Sequence, residues 1–381
     1  MKYEKSILLM LLIIGVSFTS GCWNYREIDE MTIVSGVAID YEDEQFIITI
    51  ESITPKGGQD IDMTADLTTA EGATIFDAIR NLIMQTGRRV YWAHGKVIVI
   101  SEEIARAGIT PVLDYVTRDA EVRENMWLLL SKEKDARSLL EGRDKMHDTI
   151  SIHIDDMLQS QKSISKYNAM ELWRFLDDLT ADGISPTMPM ATLKIKGEDK
   201  IPLINGIAIF KKDKMVGELN GIEARSLLLT KGELKGGVFV VPKVGKTSTD
   251  VTLEIFKSKT EVKPELKNGK LMMKIDVKID VNIAEITGTE DFISEKGRKI
   301  LQKEAEGMIE AQIESTFNRV QKQWGSDVFD FGGVVQREMP DYWRGNKDDW
   351  DEHFANLKTE VNVALNIRGS ALTSKPIKVG E

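Results

Sequence analysis

The chain has 381 residues, a formal net charge of −11, 42% hydrophobic residues and one cysteine. An acidic chain without a basic stripe excludes nucleic-acid binding as a main activity, because such binding depends on Lys and Arg neutralising phosphates. A lone cysteine excludes disulfides within the chain and thiolate metal clusters, and the length predicts two or three domains, since single cores stop growing near ~250–300 residues.

Residues 1–22 predict a lipoprotein signal peptide. Two lysines precede the apolar run from Ile7 to Phe18, which is shorter than the ~20 residues that a membrane-spanning helix needs. Two small residues then lead into Cys22, as in a bacterial lipobox, where the thiol is diacylated and cleavage occurs just before it. Thr19 stands where such sites usually have leucine, and the alternative is an uncleaved helical anchor with an inert cysteine. In both cases we expect the remaining chain to be tethered to a membrane.

Residues 23–195 predict an N-terminal α+β domain. Alternating or continuously apolar segments bounded by turn residues predict strands at 31–40, 46–52, 62–69, 96–100 and 126–131. Thr74 is a plausible N-cap and Gly87 a plausible stop for a helix whose apolar face carries Ile75, Phe76, Ile79, Leu82 and Ile83. Ser101 opens a further helix, and residues 111–118 predict another. The helical pattern over residues 134–190 marks a possible helical subdomain.

Residues 200–375 predict a C-terminal domain that starts with a short hairpin. Apolar residues then alternate with polar ones in three strands, at 251–255, 271–283 and 359–367, and Asn268-Gly269 signals a type I′ turn. A long helix over 294–324 carries apolar residues at steps of three and four. We therefore predict an α+β, multi-domain fold, with one or more N-terminal mixed α/β units and a C-terminal antiparallel sheet packed by one long helix.

Catalytic and metal-binding patterns are weak along this chain. His147 and His153, with Asp148, Asp155 and Asp156, are candidate metal ligands, but their six-residue spacing fits neither one helix face nor a zinc pattern. The glycines of TKGELKGG lack the strand, loop and helix context of a phosphate cradle. We therefore predict no enzyme activity, no metal and no cofactor.

Two surface segments have alternative interpretations. Trp343 and Trp350, in the stretch PDYWRGNKDDW, form either a carbohydrate or peptide platform or part of a core. The charged residues Arg118, Asp119, Glu121 and Arg123 form either a partner surface or an intramolecular ion-pair network. We take the partner surface as a hypothesis, because two arginines and two acids are more charge than one helix end needs.

Short stretches of sequence that carry a family resemblance are spread in order along almost the whole chain. They are CWN at 22–24, RE at 26–27, IVSGVAID at 33–40, IFDAIR at 75–80, GR at 87–88, YWAHGK at 91–96, LDY at 113–115, the charged residues at 118–123, GIAIF at 206–210, Asp213, and VG at 216–217. Together they resemble the C-subunit lipoproteins of spore germinant receptors, the Ger(x)C family. Thr19, and Ala38 where family members often have glycine, depart from the pattern.

The resemblance implies a non-enzymatic subunit that a lipid on Cys22 holds on the outer face of the inner spore membrane. It implies that this subunit works with an A-type and a B-type membrane subunit to respond to nutrient germinants. Two other classes stay open. A lipid-anchored solute-binding protein would show two similar α/β lobes, and a lipoprotein enzyme of the cell wall would show paired carboxylates or a zinc set.

Overall fold

The structure is a computed structural model that describes residues 3, 5–7, 10, 30–56, 62–142, 149–197 and 199–369. Cys22, on which the anchoring prediction depends, lies outside the described residues. Within these residues, no helix combines the length and the apolar character that crossing a membrane requires.

The described chain is a mixture of strands and helices in both halves. The strands are β1 (Met31–Glu42), β2 (Gln45–Lys56), β3 (Asp62–Gly72), β4 (Arg89–Tyr91), β5 (Val97–Ser101), β6 (Trp127–Ser131), β7 (Thr187–Lys196), β8 (Asp199–Lys211), β9 (Lys214–Leu219), β10 (Val238–Val241), β11 (Val251–Lys267), β12 (Lys270–Ile286) and β13 (Lys358–Gly369). The helices are α1 (Ile75–Thr86), α2 (Glu102–Ala107), α3 (Thr110–Arg118), α4 (Arg137–Leu140), α5 (Ile150–Gln159), α6 (Gln161–Ile164), α7 (Leu172–Thr180), α8 (Gly221–Thr230), α9 (Glu295–Gln323), α10 (Phe331–Glu338), α11 (Pro340–Asn346) and α12 (Trp350–Asn356).

Local signals set several helix ends where the sequence predicts them. The Thr74 side chain accepts a hydrogen bond from the Asp77 amide, and Gly87 ends α1 in the left-handed conformation. Ser101 caps α2 in the same way, and the Ser294 side chain accepts from the Gly297 amide at the start of α9. The predicted N-cap at Thr74 and stop at Gly87, and the predicted helix starts at Ser101 and Ser294, are confirmed.

The larger sheet, within the described residues, has nine strands in the order β3-β2-β1-β5-β6-β7-β8-β9, with β4 added beside β1. Its centre is parallel, because β1, β5, β6 and β7 all run in one direction. Antiparallel hairpins extend it on both sides. The α+β class is confirmed.

Both faces of the larger sheet are covered. Along β5, Ile98 and Ile100 join one core while Val97 and Val99 join another, as alternation in a strand requires. Helices α1, α2, α3 and α7 pack on the first face, and α4 and α5 on the second. The helices within the predicted subdomain at 134–190 are therefore divided between two faces of one sheet, because each helix needs an apolar surface to cover.

The smaller sheet has the order β10-β11-β12-β13, and α9 lies across it. Asn268 and Gly269 both have positive φ, 51° and 74°, which confirms the predicted type I′ turn between β11 and β12. Helix α9 buries Leu301, Ala305, Ile309, Ile313, Phe317 and Val320. The predicted long helix at 294–324 is confirmed.

One pairing in this sheet differs from the prediction. Strand β13 runs parallel to β12 rather than antiparallel. The reason is the connection, since α9 to α12 cross over one face of the sheet between the two strands, and such a crossover brings the chain back in the same direction. The outer edge of β13 is covered by α9, because the amides of Val363 and Leu365 donate to Glu310 (3.0 Å) and Glu306 (2.9 Å).

Strand β8 connects the two halves of the molecule. Ile207 and Ile209 belong to the core that lies under α9, whereas Ala208 and Phe210 belong to the core of the larger sheet. Strands β8 and β9, which the sequence analysis placed in the second domain, therefore complete the larger sheet, and the predicted boundary at 195–200 falls in the β7–β8 hairpin. The sheet to which β8 and β9 belong is determined by their strand partners, which are distant in sequence, so no local sequence signal predicts it.

Two glycines permit close contacts around this connection. Gly206 has a φ of +85° at a register shift in β8, and a Cβ there would lie 2.5 Å from the Leu219 carbonyl oxygen. A Cβ on Gly217 would lie 2.0 Å from Cε2 of Trp324, so the indole ring at the end of α9 rests directly on this glycine. The contact joins the end of α9 to β9.

The variant Gly217→Ala should therefore lower the free energy of unfolding by roughly 1–3 kcal/mol, because the added methyl displaces the Trp324 ring. Urea denaturation followed by tryptophan fluorescence would measure the change.

Gly307→Ala is the matched control. Gly307 lies within α9, and a Cβ there would meet nothing within 4 Å. The same methyl should raise stability by about 0.5–1 kcal/mol at that position. Equal stability of the two variants would contradict the proposed contact between Gly217 and Trp324.

Candidate functional site

The stretch IVSGVAID positions helices rather than a ligand. Glu51 on β2 is buried, and its carboxylate accepts hydrogen bonds from the Ser35 hydroxyl (2.9 Å) and from the amides of Ile150 (2.8 Å) and Ser151 (2.9 Å). These amides belong to the first turn of α5, which favours negative charge. Gly36 leaves space for this helix, because a Cβ there would lie 1.9 Å from the Ser151 hydroxyl.

Asp40 has the same role at the other end of this stretch. Its carboxylate accepts from the amides of Ala136 (2.6 Å) and Arg137 (3.1 Å), where α4 begins. Burial raises the pKa of Asp40 to about 6, although the two amide hydrogen bonds act in the opposite direction.

The carboxyl ends of β5 and β6 are where an α/β fold would usually bind a ligand. The helix after β5 packs on one face of the sheet and the helix after β6 on the other, which opens a crevice between the two strands. Lys132 fills this crevice, since its Nζ donates to Glu102 (2.6 Å) and Glu218 (2.7 Å). Burial disfavours the charge on Lys132, but the two carboxylates outweigh burial and raise its pKa.

Asp155, one of the candidate metal ligands, has other partners. Asp155 is buried and accepts from Trp127 Nε1 (2.7 Å), Gln159 (2.8 Å) and Lys96 (2.9 Å), which ties α5 to the start of β5 and β6. His147 and Asp148 lie outside the described residues. Among the residues that are described, no three His, Cys, Asp or Glu side chains are placed to hold a metal ion.

Trp343 and Trp350 belong to a core and not to a surface platform. Both are buried, and their rings meet at 5.3 Å between centroids. The indole of Trp350 donates to Asp327 (3.0 Å), a buried carboxylate that also accepts from the amides of Phe329, Phe331 and Gly332. Burial raises the pKa of Asp327 to about 7, despite these four donors.

A groove of about 630 Å³ lies between α1 and α3, and it is the candidate functional site. Its apolar wall is formed by Phe46, Ile75, Phe76, Pro111 and Tyr115. Arg89, Asp114, Arg118, Asp119 and Glu121 add charge to it. The groove therefore combines an aromatic wall with a charged rim, which is the composition of a protein-binding surface.

Three of the four residues predicted as a partner surface line this groove. Arg118 is exposed and pairs with Asp114 one turn earlier (2.8 Å), Asp119 accepts from the Tyr115 hydroxyl (3.1 Å), and Glu121 lies 3.7 Å from Arg89. The fourth residue, Arg123, donates to the Ala93 carbonyl (3.3 Å). The structure thus brings the residues together at one end of the groove and also gives each of them an intramolecular partner.

Two aromatic residues of the groove were not identified from the sequence. Phe76, which the sequence analysis placed on the apolar face of α1, is 51% exposed, and the Arg80 guanidinium lies 4.7 Å from its ring centroid. Tyr115 lies 6.5 Å from Phe76, and burial together with the charge of Asp119 raises its pKa. Two sequence signals point to Phe76, its position directly beside Ile75 at the edge of the helical apolar stripe and its place in the stretch IFDAIR at 75–80.

Comparison with known proteins identifies the family. Residues 24–193 match the family model described as spore germination protein N-terminal domain. Residues 205–371 match the family model described as spore germination B3/GerAC like, C-terminal. The chain belongs to the Ger(x)C family. The gap between the two matches falls at the β7–β8 hairpin.

Relatives of this Ger(x)C protein align over nearly their whole length. Spore germination protein KC of Bacillus subtilis (strain 168) is 24% identical over 98% of both chains. Spore germination protein B3 of the same organism is 25% identical over 91% of this chain and 93% of its own, and GerQC of Bacillus cereus is 23% identical over 96% and 99%. The crystal structure of the GerBC protein covers 91% of this chain and 100% of its own at 22% identity, with a TM-score of 0.60, and supports the fold.

The raised pKa values of Asp327 and Asp40 predict how the stability of this Ger(x)C protein changes with pH. The folded protein retains protons that the unfolded chain releases, so the contribution of these groups to stability falls as pH rises from about 4 to 6 for Asp40 and to 7 for Asp327. Each unit of pKa difference corresponds to ~1.4 kcal/mol.

Urea denaturation at pH 5 and pH 8 would test this dependence. The free energy of unfolding should fall between these values in the unmodified protein and fall less in Asp327→Asn, which has no titrating group at that position. An equal fall in both proteins would show that Asp327 does not titrate in this range.

Proposed function

We propose that this chain is the C-type subunit of a nutrient germinant receptor, and that it acts with an A-type and a B-type membrane subunit to trigger spore germination. The observation that carries the proposal is the match of both halves of the chain to spore germination families, over residues 24–193 and 205–371. Relatives named as spore germination proteins align with almost the entire chain.

The proposed subunit is not an enzyme. The filled crevice at the ends of β5 and β6 supports this, because Lys132 and two carboxylates occupy the position where a substrate would bind in many α/β enzymes. A solute-binding protein with two similar lobes is disfavoured, since the two sheets differ in strand number and in topology.

We place the subunit on the outer face of the inner spore membrane, anchored by a lipid on Cys22. The short apolar run and the small residues before this cysteine support the assignment. Two acyl chains contribute ~0.8 kcal/mol per buried methylene, which is enough for stable anchoring.

Cys22→Ala should abolish fatty-acid labelling, leave the precursor unprocessed and weaken the response of spores to the nutrient that the receptor serves. Metabolic labelling with palmitate and a nutrient germination assay would measure these effects, and germination by non-nutrient routes should be unchanged. Palmitate still incorporated into the alanine variant would refute the lipid anchor.

The groove between α1 and α3 is the proposed contact with a partner subunit. Its apolar wall includes a Phe76 side chain that is half exposed, and its rim carries three of the four predicted charged residues, Arg118, Asp119 and Glu121. Exposed aromatic residues beside arginine are typical of the residues that carry binding energy at protein interfaces.

Arg118→Glu combined with Arg123→Glu should preserve the fold, because exposed ion pairs contribute only about 0–1 kcal/mol. The same change should slow nutrient germination, because it reverses the charge that a partner meets at Arg118 on the rim of the groove and at Arg123 close to it in sequence. Thermal unfolding and the germination rate of spores would measure the two effects.

Lys299→Glu combined with Arg344→Glu is the matched control. Both residues are exposed cations in helical pairs, with Glu295 and Asp341, far from the groove in sequence. An unchanged germination rate in the Arg118 and Arg123 variant, or an equal loss in the control, would mean that the four residues are only a solvated face.

A further inference from the structure

The smaller sheet has one face without a packing partner among the described residues. Its inward residues, such as Ile275 and Val277, contact the core under α9. The outward residues of β11, β12 and β13 are mainly Lys, Glu, Asp and Asn. The register of the strands determines which charged side chains lie opposite each other on this outer face.

Two pairs of lysines lie directly opposite each other on this outer face. In the β11–β12 register, Lys259 faces Lys278 and Lys263 faces Lys274. Side chains at such positions have Cβ atoms ~4.5–5.5 Å apart, and like charges there destabilise the sheet. Each pair therefore needs a source of negative charge.

The pair Lys263 and Lys274 has that charge within the chain. Lys263 lies 2.8 Å from Glu261, and Lys274 lies 3.4 Å from Asp276. The hydrogen bond from Lys263 is the main cause that lowers the pKa of Glu261. The hydrogen bond from Asn362 is the main cause that lowers the pKa of Asp276. This pair is compensated by its own neighbours.

The pair Lys259 and Lys278 has no carboxylate at ion-pair distance in the described part of the chain. The nearest acids are engaged elsewhere, since Glu261 pairs with Lys263 and Asp280 accepts from Asn366 (2.8 Å). Lys257 adds a third cation beside them. The three lysines line a groove of about 350 Å³ whose floor includes the small side chain of Ala364.

We propose that this lysine groove, defined by Lys257, Lys259 and Lys278, binds an acidic polypeptide segment of a partner protein. Its three cations and the carboxylate of Asp280 give a net charge of about +2, which suits two or three side-chain carboxylates. A denser polyanion would meet the repulsion of Asp280. The backbone amides of the central strand β12 are hydrogen-bonded to the neighbouring strands β11 and β13, so they are not available to bind a small ion. The open sheet face therefore suits an extended segment better.

The test uses the full-length protein in detergent micelles and fluorescein-labelled hexaglutamate as the probe. Fluorescence anisotropy should show binding that weakens with added salt, and hexaglutamine should not bind. Lys259→Glu combined with Lys278→Glu should weaken hexaglutamate binding roughly tenfold or more. The control Lys263→Glu combined with Lys274→Glu makes the same charge change on the same sheet face and should weaken it much less.

Thermal stability gives a second readout that separates binding from folding. Lys259→Gln combined with Lys278→Gln should leave the Tm unchanged or raise it, because repulsion is removed and no ion pair is lost. Lys263→Gln combined with Lys274→Gln removes the same kind of repulsion but also two ion pairs, so its Tm should be lower than that of the Lys259 and Lys278 glutamine variant.

Three results would overturn the proposal. They are equal loss of hexaglutamate binding in the two charge-reversed proteins, a lower Tm in the Lys259 and Lys278 glutamine variant, and binding to phosphatidylglycerol vesicles without binding to hexaglutamate. The last result would assign the groove to a membrane surface. None of these measurements depends on the proposed receptor function.

Discussion

Strand β8 is the element on which the rest of the molecule depends, because its side chains contribute to each of the three hydrophobic cores that the described residues form. Ile204 lies in the core under α4 and α5, Ala208 and Phe210 lie in the core under α1 to α3, and Ile207 and Ile209 lie in the core of the C-terminal half. A strand can serve three cores only if its facing changes along its length. The register shift at Gly206, with its positive φ, provides that change.

Some of the stretches that resemble the Ger(x)C family determine the architecture, whereas IFDAIR, LDY and the charged residues at 118–123 contribute to the groove between α1 and α3. Ser35, Gly36 and Asp40 hold the starts of two helices against β1, and Gly206 and Gly217 allow the close approaches on which the junction of the two halves depends. None of these residues lines the groove between α1 and α3. The resemblance to the Ger(x)C family therefore rests both on residues that determine the fold and on residues that line this groove.

The sequence was sufficient wherever a structural feature depends on residues close together in the chain. Thr74, Gly87, Ser101 and Asn268-Gly269 act through hydrogen bonds or backbone angles within a few residues, and each has its predicted role. The spacing of apolar residues likewise defined α9, because its period depends on one helix alone.

Features that depend on distant parts of the chain could not be obtained in this way. The parallel pairing of β13 follows from the path of four helices, and the assignment of β8 and β9 follows from their partner β7. The groove shows the same limit. Arg118, Asp119 and Glu121 were identified as a charged cluster, but Phe76 and Arg89 join it only because α1 and β4 lie beside α3. The helical periodicity predicted that Phe76 is buried. The structure exposes it, because the neighbouring helix does not extend over this position, and the sequence of one helix does not show where its neighbour ends.

The two candidate surfaces lie on different halves of one continuous structure. The groove between α1 and α3 belongs to the larger sheet, and the lysine groove belongs to the smaller one. Ile207, Ile209 and Leu219 of the larger sheet share a core with α9 and the smaller sheet, so relative movement of the halves would expose buried apolar surface. The outer edge of β13 is covered, because two of its amides donate to Glu306 and Glu310 of α9. A partner strand therefore cannot pair with β13 at these amides. Two partners bound at the two proposed grooves would therefore be held at a fixed separation and orientation.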